Sequence, residues 1–231
     1  MQRIIVLVAT LLTLCPIYGD AASTAFVDVN VVDVISGRVK PNQTVVVTDG
    51  RIVRVSSAKS ARVPAGAVTV DGKGRYLAPG LMDMHSHAMS EDDLLFSVAT
   101  GVTSIRQMFG DPQYVKWRDA IATGTMVGPR MKVGSLIVDG RPQIWPALFS
   151  LEMTDPAAAD AWVAGQKAAG YEFIKIYSRL SREMFEAIIA AGKKHGIEVS
   201  GHIPQAVPFM RAVESGMRTS RRHPFFSSAG V

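Results

Sequence analysis

Two histidines one residue apart, His85 and His87, close an apolar run that starts at Tyr76 and is interrupted by Pro79-Gly80. Side chains of a β-strand alternate between its faces, so both imidazoles would point the same way, about 6.5–7 Å apart along the strand. Such a pair can bind a divalent metal ion. The alternative is a strand end where two polar residues meet solvent, and the pair alone leaves both interpretations open.

Lys175 and His202 are candidates for the same site. Lys175 lies in a predicted strand between two isoleucines that face the opposite way and suit packing against helices. It would therefore point inside, where an ammonium group is costly unless it reaches solvent or is neutralised or modified. His202 ends the next predicted strand, and ligands of parallel β/α folds bind at that end. His195 falls in the last turn of a predicted helix, where it favours the helix dipole, and we assign it no chemistry.

The elements that must position these residues change character near Gly80. Residues 26–70 alternate like strands, with Asp49-Gly50 as a two-residue hairpin turn, and predict a small antiparallel sheet. After Gly80 the pattern becomes strand, helix, strand, with a third strand at residues 131–137, an irregular loop at 139–154 rich in Pro, Trp and Phe, and a last helix at 206–215. These repeated βα units, followed by the start of a sixth strand after Gly216, predict a parallel sheet with right-handed crossovers.

Composition describes an ordinary globular protein, with 48% hydrophobic and 19% charged residues. The net charge of +5 is spread along the chain. Because no basic stripe alternates with aromatic residues, we expect no nucleic-acid partner.

The N-terminus resembles a targeting segment. A basic start, an apolar run from Ile4 to Leu14 and small residues up to Ala21 predict a signal peptide at residues 1–21. The apolar run is too short for a stable membrane anchor, so we expect export to the periplasm or the medium. Cys15, the single cysteine, would leave with this segment, although a lipid-modified Cys15 is an alternative.

The chain resembles the amidohydrolase superfamily, particularly its exported prolidase-like and imidazolonepropionase-like branch. The resemblance covers about residues 26–217 and rests on the segments 77–87, 173–177 and 201–204, which read LAPGLMDMHSH, FIKIY and GHIP. It implies an α/β fold, an incomplete (β/α)8 TIM barrel at residues 80–217 that follows a small antiparallel β-sandwich at 22–79.

The resemblance also implies a metal centre that hydrolyses amide, cyclic amide or dipeptide bonds. His85 and His87 would bind one of two divalent ions, zinc being expected. A CO2-derived carbamate on Lys175 would bridge both ions, and His202 would bind the second. A metal-activated water would then attack the carbonyl carbon. One alternative is a mononuclear deaminase of the same superfamily, against which the bridging lysine argues.

The last residues depart from the pattern of the superfamily. His223 is the candidate for a further metal ligand after the sixth strand, yet it comes one residue late, and residues 218–231 read as an atypical tail, possibly out of frame. A barrel of this type takes about 250 residues, and the aspartate expected after an eighth strand has no counterpart. We therefore expect the 231-residue chain to lack hydrolase activity. Another alternative is a non-catalytic exported barrel that binds a metal or a partner.

Overall fold

The computed structural model describes residues 23–221. The chain divides into two compact units, with the boundary between Pro79 and Gly80. The expected signal peptide and His223 lie outside the described residues. Within the described part of the chain, no helix is long and apolar enough to cross a bilayer.

The first unit is a five-stranded sheet in which β1 is central. Its strands are β1 (Ser23–Asp33), β2 (Arg38–Thr48), β3 (Arg51–Ser57), β4 (Val68–Asp71) and β5 (Tyr76–Leu77). The predicted turn at Asp49-Gly50 is confirmed: it joins β2 to antiparallel β3, and both residues have positive φ. The expectation of a purely antiparallel sheet is wrong, because β4 and β5 both pair in parallel with β1. The long connection after β3 lets the chain cross to the other side of β1, which a two-residue turn would not allow.

The second unit alternates strands and helices. The strands are β6 (Leu81–Ser86), β7 (Val102–Gln107), β8 (Arg130–Val133), β9 (Ile137–Asp139), β10 (Ser150–Glu152), β11 (Phe173–Ile176), β12 (Glu198–His202) and β13 (Thr219–Arg221). The helices are α1 (Glu91–Ala99), α2 (Pro112–Ala122), α3 (Ala159–Ala168), α4 (Arg182–His195) and α5 (Phe209–Glu214), with a 3₁₀ turn at Pro156–Ala158 before α3.

The strands of the second unit are all parallel and form two hydrogen-bonded groups, β6-β7-β8 and β10-β9-β11-β12-β13. A bridge between Gly134 and Phe173 joins the groups. On either side of it, Ser135 N–H donates to the Phe173 carbonyl and Glu172 N–H to the Val133 carbonyl. Together these parallel strands form a wall. Apart from β10, which pairs with the side of β9 away from β11, its strands follow one another in chain order, as in part of a (β/α)8 barrel.

The predicted third strand at residues 131–137 is split into β8 and β9. A Cβ atom at Gly134 would lie 2.7 Å from the Phe173 ring, so the glycine makes room for that ring. The next residue, Ser135, turns its hydroxyl to accept a hydrogen bond from Lys175 N–H at 2.9 Å. β8 and β9 are therefore separate strands, because β11 packs against the two residues between them, Gly134 and Ser135. Strand β10 in turn lies within the segment that was expected to be an irregular loop.

The inner face of the wall carries charged side chains. Lys132 of β8 and Glu198 of β12 form an ion pair at 2.7 Å, although β11 lies between their strands. Arg106 of β7 lies over the Phe173 ring, 5.3 Å from its centroid. Side chains on non-adjacent strands meet across β11 only if the wall is curved, as in a barrel.

Helices cover the outer face and form the core with the strands. Ile174 and Ile176 are fully buried against α4, which contributes Met184, Phe185 and Ile188. Helix α4 begins at Ser181, whose side chain accepts a hydrogen bond from Met184 N–H, and ends at Gly196 in the left-handed conformation. Helix α5 is shorter than predicted because Pro208 is its N-cap, with an extended ψ of 143°, and a proline disfavours the helical conformation of the residue before it.

Candidate functional site

His85 and His87 lie together at the carboxyl end of β6. His85 is in the strand, whose last residue is Ser86, and His87 follows it directly. Their ring centroids are 5.1 Å apart, with the ring planes at 65°. This separation is short enough for both rings to bind one divalent ion, each through a nitrogen about 2.0–2.1 Å from it.

Aromatic rings pack around His87. Phe109, which follows β7, stacks on the imidazole with centroids 5.3 Å apart, and Trp145 lies 6.4 Å away at a similar tilt. The aromatic residues of the loop after β9 have different surroundings. Phe149 packs against Phe109 and the core, whereas the partly exposed Trp145 lies beside His87.

Lys175 is buried inside the wall, with 1% of its surface exposed. Its neighbours Ile174 and Ile176 face the core on the other side of β11, as the alternating pattern predicted. The ammonium nitrogen lies 5.9 Å from the centroid of the Tyr177 ring. Of the two possibilities that the sequence left open, the structure excludes the one in which Lys175 reaches solvent.

His202 is the last residue of β12 and packs against the segment that follows β11. Its ring stacks on Tyr177 with centroids 4.1 Å apart. Its Nδ1 atom lies 3.1 Å from the hydroxyl of Ser178, which is buried. This contact orients the imidazole ring, so that Nε2 faces away from Ser178.

The structure places the candidate ligands in two groups at the carboxyl ends of strands. His85 and His87 form one pair at the end of β6, and Lys175 and His202 both adjoin Tyr177 at the ends of β11 and β12. Among residues 23–221, no three His, Cys, Asp or Glu side chains lie close enough together to hold an ion. A shared metal centre would need an anionic group on Lys175 to supply oxygen ligands to both groups.

Asp139, which the sequence analysis overlooked, holds the loops around the site. Its fully buried carboxylate accepts hydrogen bonds from the backbone N–H groups of Gly140, Ile144 and Arg179, at 2.9, 3.0 and 2.7 Å. It thus fixes the loop after β9 to the loop after β11. The sequence signal was only an aspartate-glycine pair at a strand end, which is typical of any turn.

A cavity of about 500 Å³ opens between the loops at this edge. It is lined by residues that follow β9, β10, β11 and β12, and Ser178 connects it to His202. Two guanidinium groups border it. Arg179 donates to the Pro142 carbonyl at 2.6 Å, and Arg141 pairs with Glu152 at 2.6 Å. Arg179 therefore places a positive charge at one side of the cavity, next to a candidate metal ligand, whereas the charge of Arg141 is already paired with Glu152.

His195 has the structural position that the sequence predicted. Its Nε2 atom lies 2.9 Å from a carboxylate oxygen of Asp160, which also pairs with Lys194 at 2.8 Å. The hydrogen bond from Lys194, and after it that from His195, lowers the pKa of the Asp160 carboxyl group. These contacts join α3 to the last turn of α4, just before β12 begins, whereas His202 lies at the other end of that strand.

Comparison with protein-family models yields no match. Among curated proteins, an adenine deaminase of Chelativorans sp. (strain BNC1) is 29% identical over 185 residues, which cover 75% of this chain and 30% of the relative. An adenine deaminase of Rubrobacter xylanophilus is 34% identical over 85 residues, 36% of this chain and 14% of the relative. The chain thus spans less than a third of the curated relatives that it matches.

Solved structures extend the likeness to most of the chain. A bottromycin amidohydrolase superposes with a TM-score of 0.73 and 29% identity, over 85% of this chain and 42% of that one. A Bifidobacterium longum protein classed as a prolidase gives a TM-score of 0.70 and 27% identity, over 80% of this chain and 51% of that one.

These likenesses agree with the geometry. The parallel wall, the sheet unit before it and the position of the candidate ligands at the carboxyl ends of the strands are all features that the resemblance implied. Together with the sequence and structural relatives, they point to the amidohydrolase superfamily.

Proposed function

We propose that this chain carries the metal-binding half of a hydrolase that cleaves C–N bonds of the amide type. The observation that carries the proposal is the burial of Lys175 beside the strand that ends in His202. A buried cation on an inner strand face is costly for stability, so its presence at the functional edge of a β/α fold indicates a chemical role.

The residues fit a centre with two divalent ions. His85 and His87 would hold one ion, His202 the other, and a carbamate on Lys175 would bridge them. Zinc suits the imidazole ligands. When bound, such ions supply a nucleophilic water and polarise a carbonyl group. Ser178 supports this arrangement because its contact with Nδ1 of His202 would make Nε2 the ligand nitrogen.

The carbamate would form when the neutral Nζ amine of Lys175 attacks CO2 and releases one proton. The product is an anion, so the pairing with two cations would replace an unfavourable buried ammonium group by a neutralised cluster. Burial supports the modification, since the side chain is shielded from water by its own strand and by Tyr177.

The cavity favours a substrate with a carboxylate, such as a dipeptide or an N-acyl amino acid. Arg179 and Arg141 border the cavity, while Ser178 connects it to His202. A substrate whose amide bond lies at the metal ligands could therefore place its carboxylate near a guanidinium group, which binds carboxylates well.

A deaminase is the second candidate, and the observation that favours it is the sequence likeness to two adenine deaminases. The bond broken would again be a C–N bond, but the product would be ammonia. A non-catalytic protein that binds a metal or a partner remains the alternative from another class.

Metal content tests the proposal directly. The purified chain is loaded with Zn²⁺ in bicarbonate, and bound metal is counted by elemental analysis for the parent, His87→Ala and His195→Ala. We expect about two ions per chain in the parent, a clear loss in His87→Ala and no change in His195→Ala. Equal metal content in all three proteins would refute the metal centre.

Substrate class is tested with the Zn²⁺-loaded chain by titration of a dipeptide, an N-acyl amino acid and adenine, with both binding and product release measured. Hydrolase chemistry predicts preferential binding of the carboxylates, weakened at least tenfold in Arg179→Met. Ammonia release from adenine would instead support the deaminase, and metal binding without affinity for any of the three would support the non-catalytic protein.

Export is also proposed, on the residue pattern of positions 1–21. Expression of the full chain with cell fractionation tests it: a processed product in the periplasm or medium is expected. An unprocessed product in the cytoplasm would contradict export.

A further inference from the structure

Gln107 makes an unusual pair of hydrogen bonds at the end of β7. Its side chain is fully buried. The Oε1 atom accepts from Ala88 N–H at 3.0 Å, and the Nε2 group donates to the Ala88 carbonyl at 2.8 Å. One side-chain amide thus satisfies both main-chain polar groups of a single residue. That residue directly follows His87.

The position of this pair explains what it does. The ladder between β6 and β7 ends where Ser86 pairs with Gln107, and Met108 N–H donates to the Ser86 carbonyl at 2.9 Å. Ser86 and Gln107 are also the last residues of their strands. The amide of Gln107 has the same donor and acceptor as a peptide group, so it extends the ladder to Ala88. The main chain is therefore held on both sides of His87.

The same strand end also supports the imidazole. Phe109, two residues after Gln107, stacks on the His87 ring and packs edge-on against Tyr114 of α2, with centroids 5.4 Å apart. Gln107 also hydrogen-bonds to Tyr114, whose pKa is raised mainly by burial, and this bond acts against the rise. Gln107 fixes the backbone of His87, and Phe109 fixes its ring.

We infer that Gln107 is a positioning residue for His87, and that it keeps the pair with His85 in a geometry that binds metal. This inference rests on the proposed function, because it gives a purpose to the geometry of the two imidazoles. Its physical basis is preorganisation: a ligand already held in place loses less conformational entropy when the ion binds.

The main test variant is Gln107→Met, which keeps the length of the side chain and removes both hydrogen bonds. Gln113→Met makes the same change at an exposed position of α2. Ile105→Ala is the second control, because it removes buried packing from the same strand but keeps both hydrogen bonds of Gln107 to Ala88. If Gln107→Met fails to fold, Gln107→Glu replaces it, since Glu retains the acceptor for Ala88 N–H but, when ionised, cannot donate to the Ala88 carbonyl.

Two quantities are measured: the affinity for Co²⁺ by visible absorption, and the hydrogen exchange rate of the Ala88 amide in the metal-free chain. We expect Gln107→Met to bind Co²⁺ about tenfold more weakly, as is common when a residue that orients a ligand is lost. Its Ala88 amide should exchange at least tenfold faster. Gln113→Met should match the parent in both measurements, and Ile105→Ala should keep the Co²⁺ affinity of its folded fraction.

The outcomes distinguish a failure of the positioning role of Gln107 from a failure of the proposed metal centre. Unchanged Co²⁺ affinity in Gln107→Met, or an equal loss in Ile105→Ala, would overturn the positioning role. Failure of the parent to bind Co²⁺ would contradict the proposed function and the positioning role together. The exchange rate of the Ala88 amide still reports on the hydrogen bonds between Gln107 and Ala88 in that case. An unchanged rate in Gln107→Met would show that Gln107 does not hold this segment.

Discussion

Gly201 lies against the main chain of Ile176 on the neighbouring strand. A Cβ atom at position 201 would come within 2.2 Å of the Ile176 carbonyl oxygen, and the φ angle of Gly201 is +134°, a conformation that other residues rarely adopt. Because His202 is the next residue, the close approach of β11 and β12 also determines where this candidate ligand lies.

Gly201→Ala should destabilise the protein by about 2–4 kcal/mol, because both steric overlap and backbone strain act at this position. Denaturant unfolding measures the change. The matched control is Gly165→Ala in α3, where a Cβ would meet no atom within 4 Å. This control should stabilise by about 0.5–1 kcal/mol, since alanine favours a helix more than glycine does. Two changes of the same sign would contradict the prediction.

Asp139→Asn should loosen the loops around the cavity. The amide group of asparagine would turn a donor toward one of the N–H groups that Asp139 now accepts, at a cost of about 1.5–3 kcal/mol. Unfolding and the rate of tryptic cleavage after Arg179, whose backbone N–H is bound by Asp139, measure the effect. Asp155→Asn is the control, because an exposed N-cap accepts either residue, with a change within about 0.5 kcal/mol. Equal effects of the two substitutions would show that burial of Asp139 is unimportant.

The ion pair between Glu186 of α4 and Arg211 of α5 predicts a pH dependence. Two hydrogen bonds at 2.8 and 2.5 Å join them, and the bonding to Arg211 lowers the pKa of Glu186 below its usual 4.5. A lowered pKa contributes stability that is present above that usual value and is lost as the pH falls through the lowered one.

Glu186→Gln should therefore reduce the free energy of unfolding at pH 7, and the difference from the parent should shrink as the pH falls below about 4. Urea unfolding at several pH values measures it. In an Arg211→Met background, most of this pH-dependent difference should disappear. A difference that is independent of pH in the parent background would argue against a contribution of the ion pair.

Lys175→Met should separate metal binding from stability. Methionine matches the length of the lysine and keeps an unbranched side chain at this buried position, so the metal-free variant should still fold. Metal content should fall, because the bridging group is gone. Lys116→Met on the exposed face of α2 should leave metal content unchanged. A strongly destabilised Lys175→Met chain would instead indicate that the ammonium group itself is needed for folding.

Much of the fold of the second unit could be predicted because local signals agree with it. Ser181 and Gly196 mark both ends of α4, and the isoleucines beside Lys175 predict which face of β11 packs against that helix. The split of the third strand at Gly134 was missed, because it depends on the Phe173 ring of a strand far along the chain. The parallel pairing of β4 was missed for a similar reason, since nothing local determines to which side of β1 it returns.

The sequence by itself determined the chemistry that is available: paired imidazoles at a strand end, a lysine on an inner face and a histidine at the end of the next strand. These follow from periodicity, which is a local property of the chain. Only the tertiary structure decided that Lys175 is buried, that Ser178 orients His202, and that Gln107 and Asp139 hold the loops. A hydrogen bond between residues distant in sequence depends on how the strands are brought together, and a single polar residue in the sequence does not reveal its partner.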